Sequence, residues 1–137
     1  MDIDGNDYYV LGALFKAGFR PKIVAVEHNS AFGPERSVTI PYKEDFRYSA
    51  VHPSGLYFGV SIAAWRVFFL RHDYRFVTVD QSGVNAFFIR PDAFSAPFVS
   101  GLRGATFREN FAQRRRFGTG WSHQWQRIAD MDFVSVE

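Results

Sequence analysis

The 137-residue chain is 47% hydrophobic and 18% aromatic, with sixteen Phe; this excludes a disordered chain and makes a single domain, residues 1–137, long enough to bury its own core. The absence of Cys excludes disulfide scaffolds, thiolate metal sites and thiol nucleophiles. The net charge of +2, thirteen Arg and three Lys against fourteen acidic residues, is too mild for a sequence-independent nucleic-acid binder, whose basic face must release phosphate counterions.

In chain order, the first element is a helix from Asp7 to Ala17, whose apolar positions Val10, Leu11, Leu14 and Phe15 fall on one face and which Gly18 ends. The stretch before it, Asp2-Ile3-Asp4-Gly5-Asn6-Asp7, reads as a strand end. Lys22 to Glu27 is a short β-branched run suited to a strand covered on both faces, and it ends in Glu27-His28-Asn29. Residues 30–59 form a long polar loop or lid, in which Ser37 to Tyr42 could make a short strand. Ile62, Trp65, Arg66, Phe69 and Leu70 mark a second helix capped by Ser61. No run here is long enough to span a bilayer and no secretory leader is legible, so the expectation is a cytoplasmic protein without a membrane partner.

Tyr74 to Asp80 alternates like a strand, Gln81-Ser82-Gly83 supplies a turn, and Asn85 to Arg90 is a strand that Pro91 stops. Two strands joined so tightly must pair antiparallel. Residues 92–137 read as an irregular tail with a short helix from Ser122 to Ala129. Trp121, Trp125 and Ile128 form an apolar docking face, and the run Arg114-Arg115-Arg116 reads as a solvated or acid-paired surface run.

Alternating strands and helices imply a layered α/β sheet, with ligands beyond the carboxyl ends of its parallel strands. The polar groups at those ends, Asp4, Asp7, Glu27, His28 and Asn29, admit three readings. A buried carboxylate could orient or deprotonate a hydroxyl; Asp4, Glu27 and Asn29 could hold Mg²⁺ or Ca²⁺ as hard oxygen ligands; or Asp4 or Asn6 simply caps the first helix. The EF-hand spacing fails, because positions 6 and 12 counted from Asp2 are Asp7 and Ala13. His52, His72 and His123 lack any metal-ligand spacing.

The block DIDGNDYYVLGALFKAGFRPKIVAVEHN resembles the second half of FkbM-type methyltransferases, through Asp2, Asp4, Gly5, Asp7, Leu11, Gly12, Glu27 and Asn29. The resemblance spans about Met1 to Ala93. It implies a partial Rossmann-like sheet, mixed parallel with one antiparallel strand, lacking the N-terminal strands, and it places Asn85 to Arg90 between Lys22 to Glu27 and Tyr74 to Asp80. It further implies methyl transfer from S-adenosylmethionine to a hydroxyl of a small molecule or sugar, with Asp4, Asp7, Glu27 and His28 as catalytic groups and Asn29 and Asn85 as substrate-binding groups. The glycine-rich loop and the acidic residue that such enzymes use for the cofactor have no counterpart. The expectation is therefore an acceptor half, entered at the fourth strand, inactive without an N-terminal half and covering its open edge by self-association. The alternatives are a non-catalytic self-associating fragment and, more weakly, an RNA-binding module built on Arg114 to Arg116.

Overall fold

The computed structural model describes all residues from Met1 to Glu137. Helix α1 (Asp7–Lys16) buries Leu11 and Phe15, and β1 (Ile23–Glu27) follows it. The Ser30–Phe32 segment is a 3-10 turn, then come the two-residue strand β2 (Val38–Thr39) and the single helical turn α2 (Tyr48–Val51). Helix α3 (Ile62–Leu70) has Ser61 as its N-cap, whose hydroxyl accepts from the Ala64 N–H. Strands β3 (Arg75–Val79) and β4 (Asn85–Ile89) form a hairpin. The C-terminal third holds α4 (Ala96–Gly101), α5 (Phe111–Phe117), α6 (Trp121–Gln126) and β5 (Val134–Ser135), where the sequence had suggested one short helix in an irregular tail.

The main sheet has the order β1-β4-β3. The expected placement of the Asn85–Ile89 strand between its two neighbours is found, with Glu27 opposite Asn85 and Ile23 opposite Ile89. The expected fold class is not: every strand pair is antiparallel, so the sheet is not a partial Rossmann-like sheet of mixed parallel type. The physical reason is that β4 separates β1 from β3, the two strands that run in the same sense. No strand forms at Asp2-Ile3-Asp4, the segment read as a strand end. Only Met1 engages β1 there, its ammonium donating to the Ala25 carbonyl and its carbonyl accepting from the Glu27 N–H.

Helices α1 and α3 cover one face of this sheet. Their Leu11, Phe15, Trp65, Phe68 and Phe69 pack on Val24, Val26, Ala86 and Phe88, and the Phe69 and Phe88 rings stack with centroids 4.0 Å apart. Each such fully buried side chain contributes about 2 to 3 kcal/mol through the area it removes from water. The opposite face, with Ile23, Phe87 and Ile89, borders Phe94, Phe98 and Leu102 around α4. No helix is long and apolar enough to cross a membrane.

Residues 30–59, expected as a long loop or lid, contribute Ala31, Phe32, Ile40, Leu56 and Tyr57 to a second core that Ile128 completes. Trp125 and Ile128 do form a docking face, but its partner is this chain: Trp125 meets Phe32 and Phe133 edge-on or tilted. The small sheet β2-β5 closes this core.

Gly33 ties the two ends of that second core together. Its φ of 79° lies in the left-handed region, and a Cβ there would sit 2.6 Å from the Trp121 ring. Gly33→Ala therefore suffers both backbone strain and a displaced indole. The expected loss is about 2 to 4 kcal/mol of unfolding free energy, read as a lower urea midpoint; an unchanged midpoint would show that Trp121 is not seated on Gly33.

Candidate functional site

The site begins with the turn that precedes α1. Asp7, 1% exposed, accepts from the Ile3 N–H through Oδ1 and from the Gly5 N–H through Oδ2. Its charge is used in bracing this turn. Asp4, between those two donors, adopts φ 56°, a left-handed conformation that Asp tolerates better than most non-Gly residues. Asn6 occupies the N-cap position but makes no cap bond, because its side chain is spent on the Lys43 backbone. The capping reading of Asp4 and Asn6 therefore fails.

This turn lies against the end of β1. Carboxylate oxygens of Asp2, Asp4 and Glu27 lie within 4.8 Å of one another. Asp4 and Glu27 thus meet as the sequence suggested, and the third carboxylate beside them is Asp2. The Asn29 amide donates to the Leu56 and Phe58 carbonyls at 2.6 and 3.0 Å, and its Oδ1 accepts from the Ala31 N–H. These bonds commit both amide hydrogens of that side chain to holding the loop.

Burial raises the Glu27 carboxyl to about 8, helped by the charges of Asp2, Asp4 and Asp7 and by a hydrogen bond with Asp2. Burial likewise raises Asp4, with Asp2 and Asp7 adding to it. The Glu27 carbonyl accepts from the Trp65 indole N–H at 2.7 Å, which fixes the strand end to α3.

The remaining expected site residues stand apart. His28 follows Glu27 and so emerges on the other side of the strand. It is 1% exposed, neither ring nitrogen has a partner, and its ring faces Phe107 at 6.1 Å. Burial lowers it to about 4, against the pull of Asp80 and with the push of Arg66, so it is neutral at pH 7 and outside the carboxylate cluster. Asn85 donates to Asp80 Oδ2 at 3.0 Å. Asp80 itself is raised by burial but held below the usual carboxylate range by hydrogen bonds from Val84, Ser82 and Asn85. Asn85 is thus part of the β3–β4 turn.

Asp2 was the group that sequence reasoning passed over as a site residue. It is exposed and belongs to no regular element, and the hydrogen bonds of Met1 to β1 bring it beside Glu27. The acidic-x-acidic spacing was the available signal.

A cofactor test follows from the same geometry. Gly5 offers no open cradle for a ligand, because a Cβ there would lie 2.4 Å from Phe46 Cδ1; the glycine admits a ring of the protein itself. The three facing groups are all carboxylates, with no cation to meet a carboxylate of the cofactor. The groups at this cluster offer nothing to hold the carboxylate end of S-adenosylmethionine. They do fit a hard divalent cation, which prefers clustered carboxylate oxygens. Compared with family models, curated proteins and solved structures, the chain matches none.

The raised Glu27 carboxyl has a consequence for stability. Between pH 4.5 and about 8 the folded state holds a proton that the unfolded state has lost, so this group's contribution declines as pH rises through that window. Glu27→Gln removes the titration. Urea midpoints at pH 5.5 and 9 should differ less in the variant than in the parent, with the variant gaining relative stability at pH 9. Parallel pH profiles would mean that Glu27 is not held protonated.

Proposed function

We propose that this chain supplies the acceptor side of an O-methyl-transfer site, in which Glu27 takes the proton from a hydroxyl of a small molecule or sugar. The observation that carries the reading is a single carboxyl, Glu27, raised to about 8 by burial and by the neighbouring acids. A carboxylate with that affinity for protons is a far stronger base than an exposed one, and it is matched to working pH. Asp2 and Asp4 would accept hydrogen bonds from neighbouring hydroxyls and orient the acceptor. Asp7, braced within the turn, is a positioning residue, and His28, Asn29 and Asn85 serve the scaffold. The resemblance to FkbM-type methyltransferases supplies the reaction class, and the cofactor must then be held by elements other than those of this chain.

The spacing of Asp2, Asp4 and Glu27 also supports magnesium as an accessory ion. These three groups would hold it, and its charge would draw Glu27 back toward an ordinary carboxyl. In calorimetry, Mg²⁺ should release heat and protons at pH 7, and both should vanish in Asp4→Asn. Absence of any binding at millimolar Mg²⁺ removes the ion from the proposal.

For the reaction itself, the chain is added to an extract of its source cells with S-adenosylmethionine carrying a labelled methyl group. Chain-dependent label in an alkali-stable ether product is expected, together with a loss of at least about a hundredfold in Glu27→Gln, the scale of general-base catalysis. Label that persists undiminished in that variant would sink the assignment. S-adenosylmethionine titrated into the chain alone should give no heat, and micromolar binding would contradict the misfit described above.

A further inference from the structure

A cavity of about 790 Å³ lies away from the carboxylate cluster, between the strap that precedes α5, helix α5 itself and the start of α6. Its walls carry Arg108, Arg114 and Arg115, one carboxylate (Glu109), and the rings of Phe111 and Trp121. Arg114 is the only one of these guanidiniums with an acidic partner, Glu109 at 3.6 Å. Arg108 and Arg115 have neither an ion pair nor a side-chain hydrogen bond, whereas Arg20, Arg36, Arg66, Arg75, Arg90 and Arg103 all donate to carbonyls or carboxylates.

The walls are held in place before any ligand arrives. The Phe111 N–H donates to the Ser82 carbonyl and the Asn110 N–H to the Ser30 hydroxyl, at 2.9 Å each, and Gly83 lets the β3–β4 turn press directly on the Glu109 backbone. Trp121 is seated on Gly33. Phe111 nevertheless remains 68% exposed, an apolar ring at the rim of a cationic hollow.

The geometry points to this cavity as a binding site for a small organic phosphate, a phosphorylated ring compound such as a sugar phosphate or a nucleoside monophosphate. Uncommitted guanidiniums pair with phosphate oxygens through charge-assisted hydrogen bonds. Aromatic rings at the wall take the face of a sugar or base. The Glu109 carboxylate, which also lines the cavity, supplies an acceptor for a hydroxyl or amine of the same ligand. The hollow has the size of small-molecule sites in general, and the mild net charge favours a compact ligand over an extended nucleic acid. This assignment does not rest on the methyl-transfer reading.

The test is calorimetric titration of the intact chain at low salt with glucose 6-phosphate, guanosine monophosphate, inorganic phosphate and glucose. At least one of the two ring phosphates should bind, and more tightly than inorganic phosphate or glucose; which of them does so distinguishes sugar from base. Arg108→Gln and Arg115→Gln, both at exposed positions, should each weaken that binding about tenfold, the loss of one charge-assisted contact. Arg116→Gln removes the same charge outside the cavity, at a guanidinium that lies over Phe117, and should weaken binding clearly less than either of the other two, since it removes no contact with the ligand. The assignment is overturned by no binding of either ring phosphate at millimolar concentration. Inorganic phosphate binding equally well also overturns it, as does an Arg116→Gln effect equal to the others. A single-stranded RNA oligomer binding more than about tenfold tighter than the mononucleotide would replace the small-ligand site with an extended nucleic-acid surface.

Discussion

Three residues at the end of β1 are the node from which the rest of the molecule hangs. The Glu27 N–H reaches Met1 and its carbonyl receives the Trp65 indole; the His28 N–H reaches Val84, and the Asn29 N–H reaches Val60. The Asn29 side chain then takes the Leu56 and Phe58 carbonyls. The N-terminal turn, the first residue after the β3–β4 turn, the approach to α3 and the far end of the long loop are therefore all referred to one short segment. Unsatisfied buried backbone groups are costly, so each partner is effectively obligatory. The carboxylate cluster inherits its geometry from this node, because Glu27 belongs to it and Asp2 and Asp4 are brought to it through Met1 and the Asp7 brace.

The parts of this arrangement that were legible in the sequence are those set by local periodicity. Leu11 and Phe15 on α1, Trp65 and Phe69 on α3, and the hairpin around Gln81-Ser82-Gly83 all follow from spacing or turn chemistry. The sheet's class was not legible, since parallel pairing depends on which strand lies next to which, and a single reversed strand in the middle removes every parallel pair from a sheet of three. Asn29 misled for a related reason. An Asn at a strand end is equally suited to ligating an ion and to closing a turn, and what decides between them is a pair of carbonyls 27 and 29 residues away. The packed state of residues 30–59 was hidden likewise, its apolar members Phe32, Ile40 and Leu56 being too widely spaced to form a pattern.

The two charged regions are complementary in chemistry. Glu27 faces Asn85 across the β1–β4 pair, Asn85 is bonded to Asp80, and Gln81 beyond it lines the arginine-rich cavity. The carboxylate cluster and the arginine-lined cavity are thus linked through the end of the sheet by Asn85, Asp80 and the turn that follows them.

Glu27 and His28 show how one cause can act with opposite sign on adjacent residues. Burial disfavours whichever form is charged, which drives the carboxyl up to about 8 and the imidazole down to about 4. At pH 7 the imidazole is neutral and the carboxyl predominantly so, and the strand end enters the core without carrying a full unpaired charge into it. Only one of them can then change state in response to chemistry at neutral pH. His28 would need acid several units below its surroundings to gain a proton. Glu27 needs only a modest rise in pH, or a cation beside Asp2 and Asp4, to lose one, and that asymmetry makes Glu27 the member of this pair that can exchange a proton near neutral pH.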